Sequence, residues 1–167
     1  NQGKTNERGF FSMNGVSKLS VTEDISLVNF KNIPRDLCIS SRIMTEFAEQ
    51  GINIDMISQS APTGETADIS FTVDSEQVVR ALAIVQRFRE QYPSLRTSVS
   101  TGCCKVQLYG EEMRTRPGVA AQAFTLVSEQ NADVRLITTS EVDISLLIAD
   151  HDLPAVLEAL QQHFEVE

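Results

Sequence analysis

The sequence predicts an α+β fold built from two βαββαβ units, and three observations support this prediction. Alternating apolar–polar segments and segments with apolar residues at helical spacing follow one another in the same order twice. Short identities recur in the two halves: Glu49-Gln50 matches Glu129-Gln130, and Asp68-Ile69-Ser70 matches Asp143-Ile144-Ser145. The second unit has no strand after its last helix, whereas a spare strand precedes the first. Any two α+β units share an element order, so the identities favour a duplication.

The first unit is expected to span residues 24–101. Its predicted helices carry apolar residues on one face, and Gly51 and Pro93 end them. Pro62-Thr63-Gly64 marks a turn between two strands. The predicted strands are residues 25–30, 52–57, 68–73 and 95–100, and the predicted helices are residues 37–50 and 75–91.

The second unit is expected to comprise residues 14–23 plus 102–167, with residues 1–13 as a flexible leader. An open sheet edge with unpaired backbone groups is a liability, so residues 16–21 should supply the missing last strand of this unit, beside residues 105–109 or another of its strands. The first unit is then an insertion within the second. We expect two sheets, each with helices on one face. The remaining strands are predicted at residues 134–138 and 143–148, and the helices at residues 118–130 and 152–164.

Composition limits the function classes. The chain has 167 residues, 41% of them hydrophobic, which is enough to bury a core. A net charge of −9 argues against a nucleic-acid binder, since phosphates require a basic face. No apolar run is long enough for a membrane helix, and no secretory signal is recognisable. The three cysteines, Cys38, Cys103 and Cys104, form no metal-ligand pattern and are expected as buried or half-buried thiols, which favours a cytoplasmic protein without a metal.

Four motifs resemble a known family. Residues 53–60 (NIDMISQS) followed by 68–73 (DISFTV) look like the first ACT domain of aspartate kinases. Residues 110–121 (GEEMRTRPGVAA) and 137–145 (ITTSEVDIS) look like the second. The resemblance implies two ferredoxin-like ACT domains, the first inserted into the second. It also implies a regulatory region that binds lysine, threonine or both, gives allosteric feedback control, and forms a homodimer.

The resemblance further implies that the kinase catalytic domain, in the same chain or another subunit, is a partner and is absent from these residues. No cofactor is expected here. No phosphate-cradling loop or metal-binding carboxylate pair is recognisable, and His151 and His163 accompany no motif-placed nucleophile, so this chain is not expected to be an enzyme. One departure leaves an alternative open. The first domain has Leu37-Cys38 where the family usually has Pro-Gly, which favours an interaction module that binds no amino acid.

A helix start with little side-chain bulk is suited to the carboxylate of an amino acid. Unpaired backbone N–H groups and a partial positive charge lie at that end of a helix. Pro117 needs no N–H at a first helical position, and Gly118 permits close approach. An ordinary Pro-Gly helix start is the other interpretation of these two residues.

Family positions add acceptors for the ammonium group. Asp133 and Glu141 would suit a lysine side chain, and Gln59 and Ser140 a hydroxyl or amide. Arg35 could turn toward the first-domain site or toward water, and each residue taken alone could be merely solvated or capping. The candidate effector-binding residues are Met113, Arg116, Gly118, Val119, Ala120, Asn131, Asp133, Val134, Ser140 and Glu141 in the second domain, and Arg35, Asp55, Gln59 and Ser60 in the first.

Overall fold

The structure is a computed structural model that describes residues 14–35 and 37–167. The predicted leader, residues 1–13, lies outside the described residues. Short 3₁₀ turns precede three of the four helices. The strands are β1 (Lys18–Pro34), β2 (Ile57–Gln59), β3 (Thr66–Asp74), β4 (Arg96–Tyr109), β5 (Val134–Thr139) and β6 (Asp143–Ala149), and the helices are α1 (Leu37–Glu49), α2 (Val78–Gln91), α3 (Val119–Glu129) and α4 (Leu153–Phe164).

The described strands form one antiparallel sheet in the order β2-β3-β1-β4-β6-β5. The prediction of two separate sheets is therefore wrong. Residues 18–21 and 25–30 belong to the single strand β1, and residues 96–100 and 105–109 belong to β4. Asp24 and Gly102 have positive φ values of 55° and 68°. These residues and the register shifts beside them let each strand bend without ending.

The predicted pairing of residues 16–21 with a strand of the second unit is confirmed, and the partner segment is residues 105–109. Lys18 lies opposite Tyr109 and Val21 opposite Val106 across β1 and β4. Each half of the sheet consequently has a complete set of four strand segments in the same order, because β1 and β4 each contribute one segment to both halves. The strand predicted at residues 52–57 is mostly irregular, and β2 begins only at Ile57, although Ile52 and Met56 are still buried.

The helices pack on the outer faces of the two halves. Helices α1 and α2 cover a core that includes Phe30, Phe47 and Phe71, in which the rings of Phe47 and Phe71 meet edge to face with centroids 4.9 Å apart. Helices α3 and α4 cover a second core that includes Leu108 and Leu160. No helix in the described part of the chain is long and apolar enough to cross a bilayer.

The inner faces of the two halves pack against each other. A third core joins Leu27 and Met56 of the first half to Cys103 and Leu147 of the second. The Cα atoms of β2 and β5, at opposite ends of the strand order, come within 8 Å of each other. The sheet therefore curls back on itself, with its helices outside.

The three cysteines form no disulfide. Cys103 and Cys104 are buried, on opposite faces of β4, and burial together with the nearby carboxylate of Asp150 raises the pKa of Cys104 to about 11. Cys38 is exposed, contrary to the expectation that all three thiols are at least half-buried, because the buried face of α1 begins at Ile39.

We expect Leu147→Ala to lower the free energy of unfolding by about 2–5 kcal/mol, because its fully buried side chain belongs to the core between the two halves. Urea unfolding followed by circular dichroism measures this change. Val79→Ala is the control: Val79 is 75% exposed, so its replacement should change stability by less than about 0.5 kcal/mol. Equal effects of the two substitutions would contradict the packing of the inner faces.

Candidate functional site

A cavity of about 360 Å³ lies at the start of α3. The segment that follows β4 forms one wall, the first turn of α3 the second, and the turn between β5 and β6 the third. The residues that line it are Met113, Arg114, Arg116, Gly118, Val119, Ala120, Thr139, Ser140, Glu141 and Ile144. Seven of these ten were candidate effector-binding residues, namely Met113, Arg116, Gly118, Val119, Ala120, Ser140 and Glu141.

The start of α3 leaves backbone donors for a ligand. Gly118 is the N-cap residue, has φ 94° and makes no side-chain capping hydrogen bond. The first N–H groups of a helix have no intrahelical partner, so this end carries a partial positive charge. Pro117 lies before the N-cap and not at the first helical position, because Gly118 must turn through a left-handed conformation there. A Cβ at Gly118 would meet nothing within 4 Å, so backbone conformation, not space, requires this glycine.

The second wall is supported from behind by the segment that leads into β1. A Cβ on Gly15, which has φ +83°, would lie 2.7 Å from Cγ2 of Val119 and 3.3 Å from Cδ of Arg116. Gly15 is therefore required where the chain passes directly behind the cavity.

Two arginines face this region, and both are paired with glutamates. Arg114 lies 3.5 Å from Glu111 and 3.3 Å from Glu141. Arg116 lies 3.8 Å from Glu112, near the limit for an ion pair. All of these side chains are more than a third exposed, so the pairs are weak and an incoming carboxylate can compete for the guanidinium of Arg116.

The opposite wall presents oxygen acceptors. The Ser140 hydroxyl donates to Oδ1 of Asp143, and Nε2 of Gln107 donates to Oδ2 of Asp143 at 2.7 Å. These hydrogen bonds, first that of Ser140, together with the positive charge of Lys105 hold the pKa of Asp143 below its ordinary value. Asp143 therefore remains ionised and keeps the β5–β6 turn in place. The cavity thus has cationic and N–H donors on one side and acceptor oxygens on the other.

The ACT domain model matches residues 33–87 and 106–164, which together make up more than half of the chain. The chain belongs to the ACT domain family. The first match includes α1 and most of α2, and the second includes α3 and α4, so the ACT pattern occurs twice, as the duplication predicts. The α+β fold of two ACT repeats is confirmed.

Aspartate kinases are similar along nearly the whole chain. An aspartokinase from Bacillus sp. (strain MGA3) is 30% identical over 151 residues, which cover 90% of this chain but 37% of that protein. The regulatory subunit of aspartate kinase from Thermus flavus has 27% identity and a TM-score of 0.81, with 90% of this chain and 99% of that chain covered. The aspartate kinase from Synechocystis has 26% identity and a TM-score of 0.84, with 90% of this chain and 27% of that chain covered. This chain is thus of the regulatory type.

Three candidate residues of the second ACT repeat lie far from the cavity. Asn131, Asp133 and Val134 follow the other end of α3, about 16 Å away at 1.5 Å per residue. Strand β5 runs back along the helix, so only its last residue, Thr139, returns to the cavity. Asp133 instead pairs with Arg135 at 3.2 Å. Residues 131–134 and Ser140-Glu141 were the two predicted sets of acceptors for this helix start, and of these only Ser140 and Glu141 line the cavity.

A smaller cavity of about 260 Å³ occupies the matching place in the first ACT repeat. Two of the four candidate residues of the first domain, Arg35 and Gln59, line it. Ser60 and Asp55 are not among its lining residues. The hydroxyl of Ser60 accepts from the N–H of Asp68 at 3.0 Å, and Asp55 pairs with Lys105 of the second repeat at 2.7 Å.

Three lining residues of the larger cavity were not candidates from sequence. Arg114 lies within the motif of residues 110–121, and Thr139 within that of residues 137–145, so both were available to motif reasoning. Ile144 supplies an apolar surface to the cavity. Its place in the apolar pattern of β6 predicts that it is buried but does not reveal that it lines a cavity.

The Ser140–Asp143 hydrogen bond predicts how the carboxyl of Asp143 titrates. We expect a pKa below 3.8 in the wild-type chain and a rise toward 3.8 in Ser140→Ala, measured by NMR of the carboxyl carbon. Because the folded pKa is lowered, the stabilisation from this contact is full above the ordinary pKa and is lost as the pH falls through the folded value. Ser128→Ala, at the other end of α3, should leave the titration unchanged. A wild-type value at or above 3.8 would contradict the contact.

Proposed function

We propose that this chain is an amino-acid-sensing regulatory module of an aspartate kinase and that its effector binds in the cavity at the start of α3. The observation that supports this proposal is the separation of charge across the cavity. Arg116 and the backbone donors of α3 lie on one side, and Ser140 and Glu141 on the other. A free amino acid carries a carboxylate and an ammonium group a few ångströms apart, and these two walls complement both.

Lysine, threonine or both are the proposed effectors. The hydroxyl of Thr139 suits the side chain of threonine, whereas the carboxylate of Glu141 suits the second ammonium of lysine. Glu141 already pairs with Arg114 at 3.3 Å, so a lysine side chain would have to replace that arginine. Exchange of one exposed ion pair for another costs little.

The module is proposed to act on a kinase catalytic domain and to pair with a second copy of itself in the cytoplasm. The chain spans 37% of the length of the aspartokinase from Bacillus sp. (strain MGA3), so catalysis in such a protein involves residues outside the region matched here. We propose phosphoryl transfer from ATP to aspartate as the controlled reaction, carried out by that other domain. We also propose the division into a first ACT domain at residues 24–101, inserted between residues 14–23 and 102–167. The complete strand set of each half supports that division.

Allosteric control requires two states that bind the effector differently. Strands β1 and β4 run through both halves and bend at Asp24 and Gly102. Beyond these strands, the described inner faces meet through a small apolar core and the ion pair Lys105–Asp55, so a change of bend can shift these contacts while each half keeps its own outer core. The effector is proposed to change how these halves sit against each other and to transmit that change to the kinase.

We expect lysine or threonine at 100 times its dissociation constant to stabilise the chain by about 2.7 kcal/mol and to raise Tm by roughly 5–10 °C. Ala120→Leu should abolish most of this shift, because the isobutyl side chain of leucine at the exposed position 120 fills the cavity without touching the core. Differential scanning fluorimetry against the twenty amino acids measures both.

Ser40→Leu is the matched control, because Ser40 lines the smaller cavity of the first repeat at the position that corresponds to Ala120. A shift that survives Ala120→Leu but disappears in Ser40→Leu would assign the effector to the first repeat. If none of the amino acids shifts Tm, the chain is an interaction module, which is the alternative that the Leu37-Cys38 departure favours.

A further inference from the structure

The hydroxyl of Ser140 has a fixed polarity. Its single proton is donated to Oδ1 of Asp143. One of its two lone pairs accepts from the N–H of Val142 at 3.2 Å. A serine hydroxyl has one donor and two acceptor sites, so only one lone pair is left for a further contact. On this wall of the cavity Ser140 can therefore accept a hydrogen bond but cannot donate one.

The hydrogen bonds of Asp143 keep its carboxylate as the acceptor and the Ser140 hydroxyl as the donor. Its backbone carbonyl accepts from the N–H of Ser140 at 3.0 Å, and its second carboxylate oxygen accepts from Gln107 at 2.7 Å. Lys105, on the same face of β4 as Gln107, adds a positive charge that favours the ionised carboxylate. An ionised carboxylate accepts only, so Ser140 has to be the donor between these two side chains.

We propose that Asp143 is a positioning residue for the cavity: it fixes Ser140 as an acceptor, and this wall therefore selects a ligand with a hydrogen-bond donor, the ammonium group of an amino acid, over a carbonyl at the same place. This inference rests on the proposed function and adds to it the residue that sets the selectivity. Asp143 does not line the cavity and acts only through Ser140.

The first repeat offers a natural comparison. Asp68 corresponds to Asp143 in the duplicated motif, and the backbone contact is repeated, since Ser60 N–H donates to the carbonyl of Asp68 at 2.9 Å. The carboxylate of Asp68, however, accepts from the N–H of Asn32 at 3.0 Å, and Ser60 accepts from the backbone N–H of Asp68. The fixed serine polarity is thus specific to the second repeat.

Calorimetry on the full chain tests this with two pairs of probes, L-threonine and L-lysine and the 2-oxo acid corresponding to each. A 2-oxo acid keeps the carboxylate and side chain but places an acceptor where the ammonium would be.

We expect Asp143→Ala to weaken amino-acid binding about tenfold and leave 2-oxo acid binding no weaker, because the released hydroxyl can then donate. Asp143→Asn should retain affinity within about threefold of wild type, because its amide oxygen still accepts from Ser140. Its new amide NH₂ group can donate to Gln107 once the Gln107 side-chain amide flips to present its oxygen. The double variant Ser140→Ala/Asp143→Ala should bind the amino acids no more weakly than Ser140→Ala alone, because Asp143 acts only through the Ser140 hydroxyl.

Asp68→Ala is the matched control and should leave the amino-acid to 2-oxo-acid ratio unchanged. Wild-type binding with an unaltered ratio in Asp143→Ala would overturn the inference alone. Equal losses in Asp143→Asn and Asp143→Ala would also overturn it, because charge and not orientation would then matter. If calorimetry detects no heat of binding for any of the four probes, and circular dichroism shows that the chain is folded, the proposed function and this inference are both overturned.

Discussion

The pairing of β1 with β4 is the constraint on which the rest of the molecule depends. The 17 residues of β1 and the 14 of β4 run side by side through both halves of the sheet. Each of these strands supplies one segment to each half, so neither half is complete without both. The other strands add outward from this central pair, β3 and β2 on one side and β6 and β5 on the other. The helices and the cavity take their places from those outer strands.

Charge is used differently on the two faces of the second half. Around the cavity, the arginines and glutamates are exposed and contribute little to stability, which leaves them available for a ligand. On the inner face, only 13% of the Lys105 side chain is exposed, and its partner Asp55 comes from the other half. A cation this well covered depends on its partner, because removal of the carboxylate would leave it desolvated and unpaired. The polar contact between the halves is therefore a constraint on their orientation.

Much of this could be predicted from residue patterns, and the failures have physical reasons. Apolar periodicity located the helices, and the missing last strand predicted that residues 16–21 pair within the second unit. Continuity of β1 and β4 could not be predicted, because Asp24 and Gly102 are typical turn residues and only tertiary pairing keeps the chain extended through them. Residues 131–134 do not line the cavity because they follow the C-terminal end of α3, although the family resemblance places effector contacts on the strand after this helix. Asp143 was missed because its role depends on a hydrogen bond to a neighbour that sequence periodicity does not reveal.

The close passage of Gly15 behind the cavity has a mechanical consequence. Its backbone lies against Val119 and Arg116, and Gly110 packs so closely on Gly15 that a side chain at Gly110 would overlap the carbonyl of Gly15. Tension or displacement applied to the chain where it enters β1 acts directly on the wall that carries the start of α3. The segment before β1 and this cavity wall are therefore mechanically coupled. A displacement there reaches the start of α3 through these packed atoms and does not pass through the sheet.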